Sequence, residues 1–227
     1  MSKIIIVANA SLKSREHINY RCDCKHQLHF GSSGMKQCSC MGNEVNKFDI
    51  VVRMNRFKTR GYEEYIGTKT DFWCINRKIL LQKTNRYYEF CDNNWDKYKV
   101  QYPTLSKCVM MTYCHEKDEA DGLRKEPKVI QNNIEVADTY EIICEFRERW
   151  REIYLNDNFK KPSTGLTTIF YYSNLYGQIH IHNFDWGKTT HYWGVKGPED
   201  IPSPHHTWEF EKIVVDDLIS EGKVVVL

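Results

Sequence analysis

Short apolar runs alternate with longer amphipathic segments along this chain, and this alternation limits the fold more than any other feature. Residues 3–9 (KIIIVAN), 48–55 (FDIVVRMN) and 68–76 (TKTDFWCIN) each contain an apolar run with the length of a strand. A further strand is predicted toward the end of residues 103–113 (PTLSKCVMMTY). Near-continuous apolar runs are typical of strands that are buried on both faces of a sheet.

Three segments between or after these strands have the pattern of helices. Residues 135–156 carry apolar side chains at helical spacing and are predicted to form an amphipathic helix. Residues 161–177 contain a turn, a serine or threonine N-cap, an apolar helix and a closing glycine, and residues 207–222 form a helix with acidic residues in its first turn. Strands follow at 178–186 and 223–227. Strands that alternate with helices predict an α/β fold with a mostly parallel, Rossmann-like sheet.

Length and charge narrow the class of protein further. The chain has 227 residues, which is the size of one α/β domain with its own core. The net charge of +2 is too balanced to indicate a nucleic-acid partner. No stretch contains the roughly 18 consecutive apolar residues that a transmembrane helix needs. We therefore expect no nucleic-acid binding and no transmembrane segment.

The cysteines are unevenly distributed. The chain has 9 cysteines, an odd number that, without a secretory signal, favours a reducing compartment over a disulfide framework. The segment CDCKHQLHFGSSGMKQCSC concentrates six side chains that could bind zinc: Cys22, Cys24, His26, His29, Cys38 and Cys40. Its spacing is C-x-C rather than the usual C-x2-C of zinc sites. A polar insertion without metal is therefore the favoured interpretation, and zinc is the alternative.

Asparagines follow three of the predicted strands. Asn9, Asn55 and Asn76 each come after an apolar run. Because ligands of such sheets bind at the carboxyl ends of the strands, we expect the three side chains to surround one crevice. Carboxamides donate and accept hydrogen bonds, which suits the ribose and phosphate of a nucleotide. The alternative is that these asparagines only form turns. The sequence has neither G-x-G-x-x-G nor a P-loop, which disfavours ordinary dinucleotide or triphosphate binding.

Four separated stretches resemble the four sialylmotifs of the eukaryotic-type sialyltransferases, glycosyltransferase family 29. The large motif is matched by IIIVANASLKS, GNEVNKFDIVVRMN and RGYEEYIGTKTD, continuing to FWCIN. The small motif is matched by KPSTGLTTIF with the strand IHIHNFD after it, the third motif by HYWG, and the very small motif by HTWEFE. The matches follow the family's order and span nearly the whole chain.

This resemblance implies a fold, an activity and a domain organisation. It implies a GT-A-like variant of the Rossmann-like sheet, and one catalytic domain over residues 1–227 with a cysteine- and histidine-rich insertion at about 13–41. It implies an inverting transfer, without a metal or other cofactor, of sialic acid or a related acid sugar. The donor is a CMP-activated sugar and the acceptor is a hydroxyl group of a glycan or glycoconjugate.

The resemblance also implies roles for residues of the two short motifs. His206 is the expected general base, since an imidazole titrates at about 6.5 and accepts a proton near neutral pH. His205 is the rival position. Glu211 is expected to orient the turn or to cap a helix rather than to relay protons. His191 is assigned to the departing phosphate, and a structural role within its aromatic cluster is the alternative.

The start of the small-motif helix is expected to face the donor. Ser163, Thr164 and Gly165 would offer hydroxyl and backbone N–H groups to the phosphate, and glycine permits close approach. Together with Asn9, Asn55, Asn76 and His191 they make up the predicted CMP-sugar site. The alternative for the sequence PSTG is a plain helix cap.

The departures from the family pattern suggest a compact version of the enzyme. Family members usually have a disulfide between a cysteine before the first strand and one in the small-motif helix, and Ser2 and Tyr176 stand in those places here. We also expect a version without the amino-terminal anchor and stem of Golgi members. We expect a viral or microbial protein that works in the cytoplasm, including that of an infected host cell.

Two other classes of protein remain open. One is a non-catalytic module that keeps the CMP-sugar fold and binds a metal or a protein partner through the insertion. The other is a Rossmann-like enzyme that uses a different nucleotide, such as a methyltransferase, although the glycine-rich turns of such enzymes are missing. Hydrolysis of the donor and binding of different nucleotides distinguish these alternatives.

Overall fold

The computed structural model describes residues 2–8, 29–30, 36–37, 41–55, 57, 59–77, 100–113, 116–184, 186 and 206–227. Its strands are β1 (Ile4–Val7), β2 (His29–Phe30), β3 (Lys36–Gln37), β4 (Ile50–Met54), β5 (Phe72–Ile75), β6 (Lys107–Met111), β7 (Glu135–Ala137), β8 (Ile179–His182) and β9 (Val224–Val226). Seven of them form one sheet in the order β7-β6-β5-β4-β1-β8-β9, while β2 and β3 pair separately as an antiparallel ladder. Every neighbouring pair in the seven-stranded sheet is parallel. The predicted α/β fold with a mostly parallel sheet is confirmed.

Helices cover both faces of this sheet. They are α1 (Met41–Asn46), α2 (Glu63–Ile66), α3 (Glu119–Arg124), α4 (Pro127–Gln131), α5 (Tyr140–Tyr154), α6 (Thr164–Tyr176) and α7 (Trp208–Ser220). Among the described residues, none of these helices combines the length and the apolar character that crossing a bilayer requires.

Alternation along the strands explains how the two helical layers form. Ile4 and Ile6 lie in an apolar core with residues of α5, α6 and α7, whereas Ile5 and Val7 pack with residues of α1 and α2. A third apolar cluster holds α3 and α4 against β5 and β6. Successive side chains of a strand point to opposite faces, so a strand that is apolar throughout can be covered on both sides.

The predicted elements are confirmed, but two boundaries are wrong: the strand predicted for 178–186 ends at His182, and the helix predicted from residue 135 starts late. Strands were predicted where β1, β4, β5, β6, β8 and β9 lie, and helices where α6 and α7 lie. The helix predicted from residue 135 begins only at Tyr140, because Glu135–Ala137 forms β7 at the edge of the sheet. Its three residues pair with Val109, Met110 and Met111 of β6. A strand this short is too brief to interrupt the helical spacing of apolar residues in the sequence.

The strand order identifies the place where a ligand can enter. From β1 the chain adds β4, β5, β6 and β7 in turn on one side, and then returns to add β8 and β9 on the other side. The direction of the connections therefore reverses between β1 and β8. In open α/β sheets, ligands bind outside the carboxyl ends of the strands at such a reversal. The residues that follow β1, β4 and β8 are thus the ones to compare with the predicted site.

Candidate functional site

Two of the three predicted asparagines meet at the carboxyl edge of the sheet. Asn55 directly follows β4 in the left-handed region, with φ of 48°. Its Oδ1 atom accepts a hydrogen bond of 3.1 Å from the backbone N–H of Asn76, which follows β5. The indole N–H of Trp73 donates to the Asn55 carbonyl at 2.7 Å. The carboxamide of Asn55 is therefore fixed across the ends of two neighbouring strands.

A further asparagine, which the sequence interpretation missed, occupies the reversal point itself. Asn183 directly follows β8, has φ of 63° and is only 7% exposed. Its Nδ2 group donates a hydrogen bond of 3.2 Å to the carbonyl of Ala8, just beyond β1. A signal was present in the sequence, because Asn183 directly follows the strand-like segment IHIH just as Asn55 directly follows the strand-like segment IVVRM. Because the strand was predicted to continue to residue 186, Asn183 was not recognised as a strand-ending asparagine like Asn55. Asn9 lies outside the described residues.

The amino end of α6 lies against this edge of the sheet. A Cβ atom built on Gly165 would lie 3.2 Å from Cε1 of Phe184, two residues after β8, and 3.9 Å from Sδ of Met54, the last residue of β4. The absence of a side chain at Gly165 thus lets the first turn of the helix approach the strand ends closely. In the structure this close approach is to Phe184, so the start of the helix lies beside the carboxyl ends of β4 and β8.

Ser163 is the N-cap of α6. Its Oγ atom accepts a hydrogen bond of 3.1 Å from the backbone N–H of Leu166, the N-cap pattern that satisfies one of the exposed amides of a first helical turn. Thr164 follows as the first helical residue, and its carbonyl accepts a 2.6 Å bond from the hydroxyl of Thr168. The choice between serine and threonine as the N-cap, which the sequence left open, falls on Ser163.

Glu211 joins the first turn of α7 to this N-cap. Its Oε1 atom accepts a 2.7 Å hydrogen bond from the Ser163 backbone N–H, and its Oε2 atom lies 2.5 Å from the Ser163 hydroxyl oxygen. The residue is only 1% exposed. Burial raises the pKa of Glu211 from 4.5 to about 7, although the two hydrogen bonds from Ser163 lower it. Desolvation is therefore the larger effect on this carboxyl group, which titrates near neutral pH.

His206 stands beside the same N-cap, just before α7. Its Nδ1 atom lies 2.7 Å from the backbone carbonyl oxygen of Lys161. A carbonyl oxygen can only accept a hydrogen bond, so Nδ1 carries the proton and, in the neutral ring, the lone pair is on Nε2. The Nδ1 atom is also 3.9 Å from Oε1 of Glu211, and the ring packs edge-on against Trp208 at 5.2 Å between centroids. We refer to Ser163, Glu211 and His206 as the cap cluster.

The large motif mostly builds the segment between β4 and β5. The buried guanidinium group of Arg53 donates to the carbonyls of Ile66 and Lys69 at 2.7 and 3.0 Å and to the hydroxyl of Thr70 at 2.9 Å. Asn46 accepts hydrogen bonds of 2.9 and 3.0 Å from the backbone N–H groups of residues 68 and 69. These residues therefore fix the course of the chain on either side of β4, while Asn55 joins the end of β4 to the end of β5.

Several predicted site residues lie outside the described part of the chain. They are Asn9, His191, Cys22, Cys24, His26, Cys38 and Cys40, together with the rival base His205. His29 is described only as part of β2. Among the described residues, no group of three or more histidine, cysteine, aspartate or glutamate side chains could hold a metal ion. The zinc hypothesis for the insertion therefore stays a prediction.

The sequence of the chain is similar to a known protein family and to individual members of it. Residues 8–223 match the profile of the family described as Glycosyltransferase family 29 (sialyltransferase). A type 2 lactosamine alpha-2,3-sialyltransferase of Rattus norvegicus is 24% identical over 217 residues, covering 89% of this chain and 64% of that protein. A lactosylceramide alpha-2,3-sialyltransferase of Bos taurus is 24% identical over 181 residues, covering 75% of this chain and 43% of that protein. The chain thus spans less than two thirds of the length of either relative.

Comparison with solved structures gives the same kind of neighbour. The sialyltransferase CstII from Campylobacter jejuni, in complex with the substrate analogue CMP-3FNeuAc, matches 100% of this chain and 82% of its own with a TM-score of 0.54 and 13% identity. A mammalian sialyltransferase in complex with Gal-beta-1-3GalNAc-ortho-nitrophenol matches 100% of this chain and 69% of its own with a TM-score of 0.51 and 15% identity. At these identities the likeness concerns the fold.

Proposed function

Because the chain belongs to glycosyltransferase family 29, we propose that it transfers sialic acid or a related acid sugar from a CMP-sugar to a hydroxyl group of a glycan, with His206 as the general base. The observation that carries this proposal is the 2.7 Å contact of His206 Nδ1 with the Lys161 carbonyl. It assigns the lone pair to Nε2, so the ring can accept a proton at that atom. The contact holds the ring beside the start of α6, where the donor is proposed to bind.

The proposed donor site is the crevice at the carboxyl ends of β1, β4 and β8. It comprises Asn9, Asn55, Asn76, Ser163, Thr164, Gly165 and His191, with Asn183 as an addition. The first-turn amides of α6 can donate to a phosphate, and the positive end of the helix dipole favours an anion there. The complex of CstII with CMP-3FNeuAc supports a CMP-sugar as the ligand of this fold.

The proposed reaction is a single displacement with inversion. Nε2 of His206 takes the proton of the acceptor hydroxyl while the acceptor oxygen forms a bond to the anomeric carbon of the donor sugar. The bond between that carbon and the phosphate oxygen breaks, and CMP leaves. The imidazolium that forms at His206 keeps the 2.7 Å hydrogen bond from its Nδ1–H to the Lys161 carbonyl, whose dipole stabilises the positive charge.

We propose that the transfer needs no divalent metal ion. The leaving group carries one phosphate, so less negative charge develops than on a departing diphosphate. The N–H groups at the start of a helix of 13 residues and the proposed phosphate contact of His191 can stabilise that charge by themselves.

Two measurements on the unmodified protein test this proposal. CMP should raise the temperature of unfolding more than AMP, UMP or S-adenosylhomocysteine does, since a ligand that binds only the folded state stabilises it. Transfer from CMP-sialic acid to a galactose-terminated glycan should proceed in EDTA. Protection by CMP without donor hydrolysis or transfer would favour a binding module, and loss of activity in EDTA would contradict the metal-free mechanism.

A further inference from the structure

We propose that the proton on Glu211 decides which way the Ser163 hydroxyl donates its hydrogen bond, so that the site binds an anionic donor best with Glu211 protonated. This inference rests on the proposed function, because it assigns the donor phosphate to the start of α6. It gives Glu211, which contacts the N-cap of α6, a role in making donor affinity depend on pH.

The hydrogen bonds of Ser163 depend on the state of Glu211. A serine hydroxyl has one proton and two lone pairs, and one lone pair here accepts from the Leu166 N–H. If Glu211 is ionised, the Ser163 O–H must donate to Oε2 at 2.5 Å, which leaves a lone pair for the crevice. If Glu211 is protonated, its O–H donates to that lone pair and the Ser163 proton becomes available to a ligand. Protonation thus exchanges an acceptor for a donor at the helix start.

The charge of Glu211 acts in the same direction. The carboxyl group is 1% exposed and lies 2.7 Å behind the Ser163 backbone nitrogen, so water screens it poorly from a phosphate at the first turn of α6. An ionised Glu211 therefore repels the anion that the helix end attracts. Burial already raises the pKa of Glu211 to about 7, so the two states interchange in the neutral range.

Other ionisable groups lie near Glu211, and their contribution to the pH dependence has to be distinguished from that of Glu211. His206 approaches Oε1 to 3.9 Å, and its protonation would also favour an anion, so it needs its own control. The ammonium of Lys161 lies over the Tyr113 ring, 5.0 Å from the centroid. On α7 itself Glu209 and Lys212 are exposed to solvent. Tyr154 of α5 lies behind Phe210, with 6.3 Å between the ring centroids.

The linkage predicts a measurable pH dependence of affinity. With a pKa of about 7, roughly nine tenths of Glu211 is protonated at pH 6 and roughly one tenth at pH 8. If the bound state requires the protonated form, affinity falls about tenfold between these pH values, and binding at pH 7 takes up about half a proton.

The probe is the methyl ester of CMP, because its phosphodiester keeps one charge between pH 6 and 8 whereas the phosphate of CMP titrates near pH 6. Calorimetric titration at both pH values gives the affinity. Repeating the titration at pH 7 in two buffers of different ionisation enthalpy gives the proton uptake of the wild type without any variant. Glu211→Gln should bind with the same affinity at both pH values, while the exposed control Glu209→Gln should follow the wild type. His206→Asn should keep the tenfold dependence.

The outcomes divide cleanly between this inference and the function beneath it. Equal wild-type affinities at pH 6 and 8 with no proton uptake overturn the inference alone. It is also overturned if Glu211→Gln keeps the pH dependence, or if His206→Asn loses it. If the folded wild type fails to bind the ester at either pH, the proposed donor site is wrong and the inference falls with it.

Discussion

Replacing Glu211 with glutamine should change how stability depends on pH, because the structure buries this carboxyl group. Burial raises the pKa of Glu211 from 4.5 to about 7 in the folded protein. A carboxyl group whose pKa is raised by folding stabilises the folded state below about pH 4.5, and this contribution is lost as the pH rises to about 7. Above that range the folded state carries the cost of a buried charge.

The size of the effect follows from the two pKa values. One pKa unit corresponds to about 1.4 kcal/mol, so the difference between 4.5 and about 7 is worth about 3 kcal/mol in all. Between pH 5 and pH 8 the free energy of unfolding of the wild type should fall by about 2.5 kcal/mol relative to Glu211→Gln. Groups that titrate alike in both proteins cancel in this difference.

Urea unfolding of both proteins at pH 5, 6, 7 and 8 measures this difference directly. Glu209→Gln on the same helical turn is the matched control, since its side chain is exposed, and its difference from the wild type should not vary in this way. A difference between wild type and Glu211→Gln that is the same at all four pH values would refute the argument that burial controls the charge of this carboxyl group.

Further predictions concern the left-handed backbone of Asn55 and the space around two glycines. Asn55→Gly tolerates the left-handed φ of 48° but loses the acceptor for the Asn76 N–H, so it should lower the free energy of unfolding by about 1 kcal/mol. Asn55→Ala loses the same acceptor and also places an alanine Cβ in the left-handed region, so it should cost about 1–2 kcal/mol more. Equal costs in urea unfolding would contradict the strain argument. Gly42→Ala should cost about 3 kcal/mol or prevent folding, because the new Cβ would lie 1.9 Å from the Glu63 carbonyl oxygen. Gly122→Ala, in open space within α3, should stabilise the protein by about 0.5–1 kcal/mol, and an equal response of both glycines to alanine would be inconsistent with this packing.

The elements with strong local signals could be predicted from the sequence. The apolar runs of β1, β4 and β5 identify buried strands, and the sequence PSTG followed by an apolar helix and Gly177 marks both ends of α6. These features depend on side chains close together in the chain, so their pattern survives without knowledge of the fold.

The features that could not be predicted from the sequence depend on contacts between residues far apart in the chain. The three residues of β7 become a strand only because β6 lies beside them, and nothing in their local spacing separates them from α5. The carbonyl of Ala8 that Asn183 contacts is 175 residues away in the chain. The hydrogen bonds of Ser163 with Glu211 join residues 48 apart, so the H-x4-E spacing alone does not reveal that the glutamate reaches a helix cap. Sequence patterns identified these residue types, whereas their partners are determined by which segments the fold brings together, such as the starts of α6 and α7 at Ser163 and Glu211.

The assignment of His206 as the general base is tested most directly by His206→Ala, with turnover and CMP affinity measured on the same preparation. A base that acts on the acceptor hydroxyl contributes about 10²–10⁴-fold to the rate and little to donor binding. We therefore expect turnover to fall by that factor while the dissociation constant of CMP stays close to that of the wild type. The neighbouring His205→Ala serves as the control and should keep most of its activity. If His206→Ala retains its turnover and His205→Ala loses it, the base is the wrong histidine, and if both retain it, the proposed mechanism is contradicted.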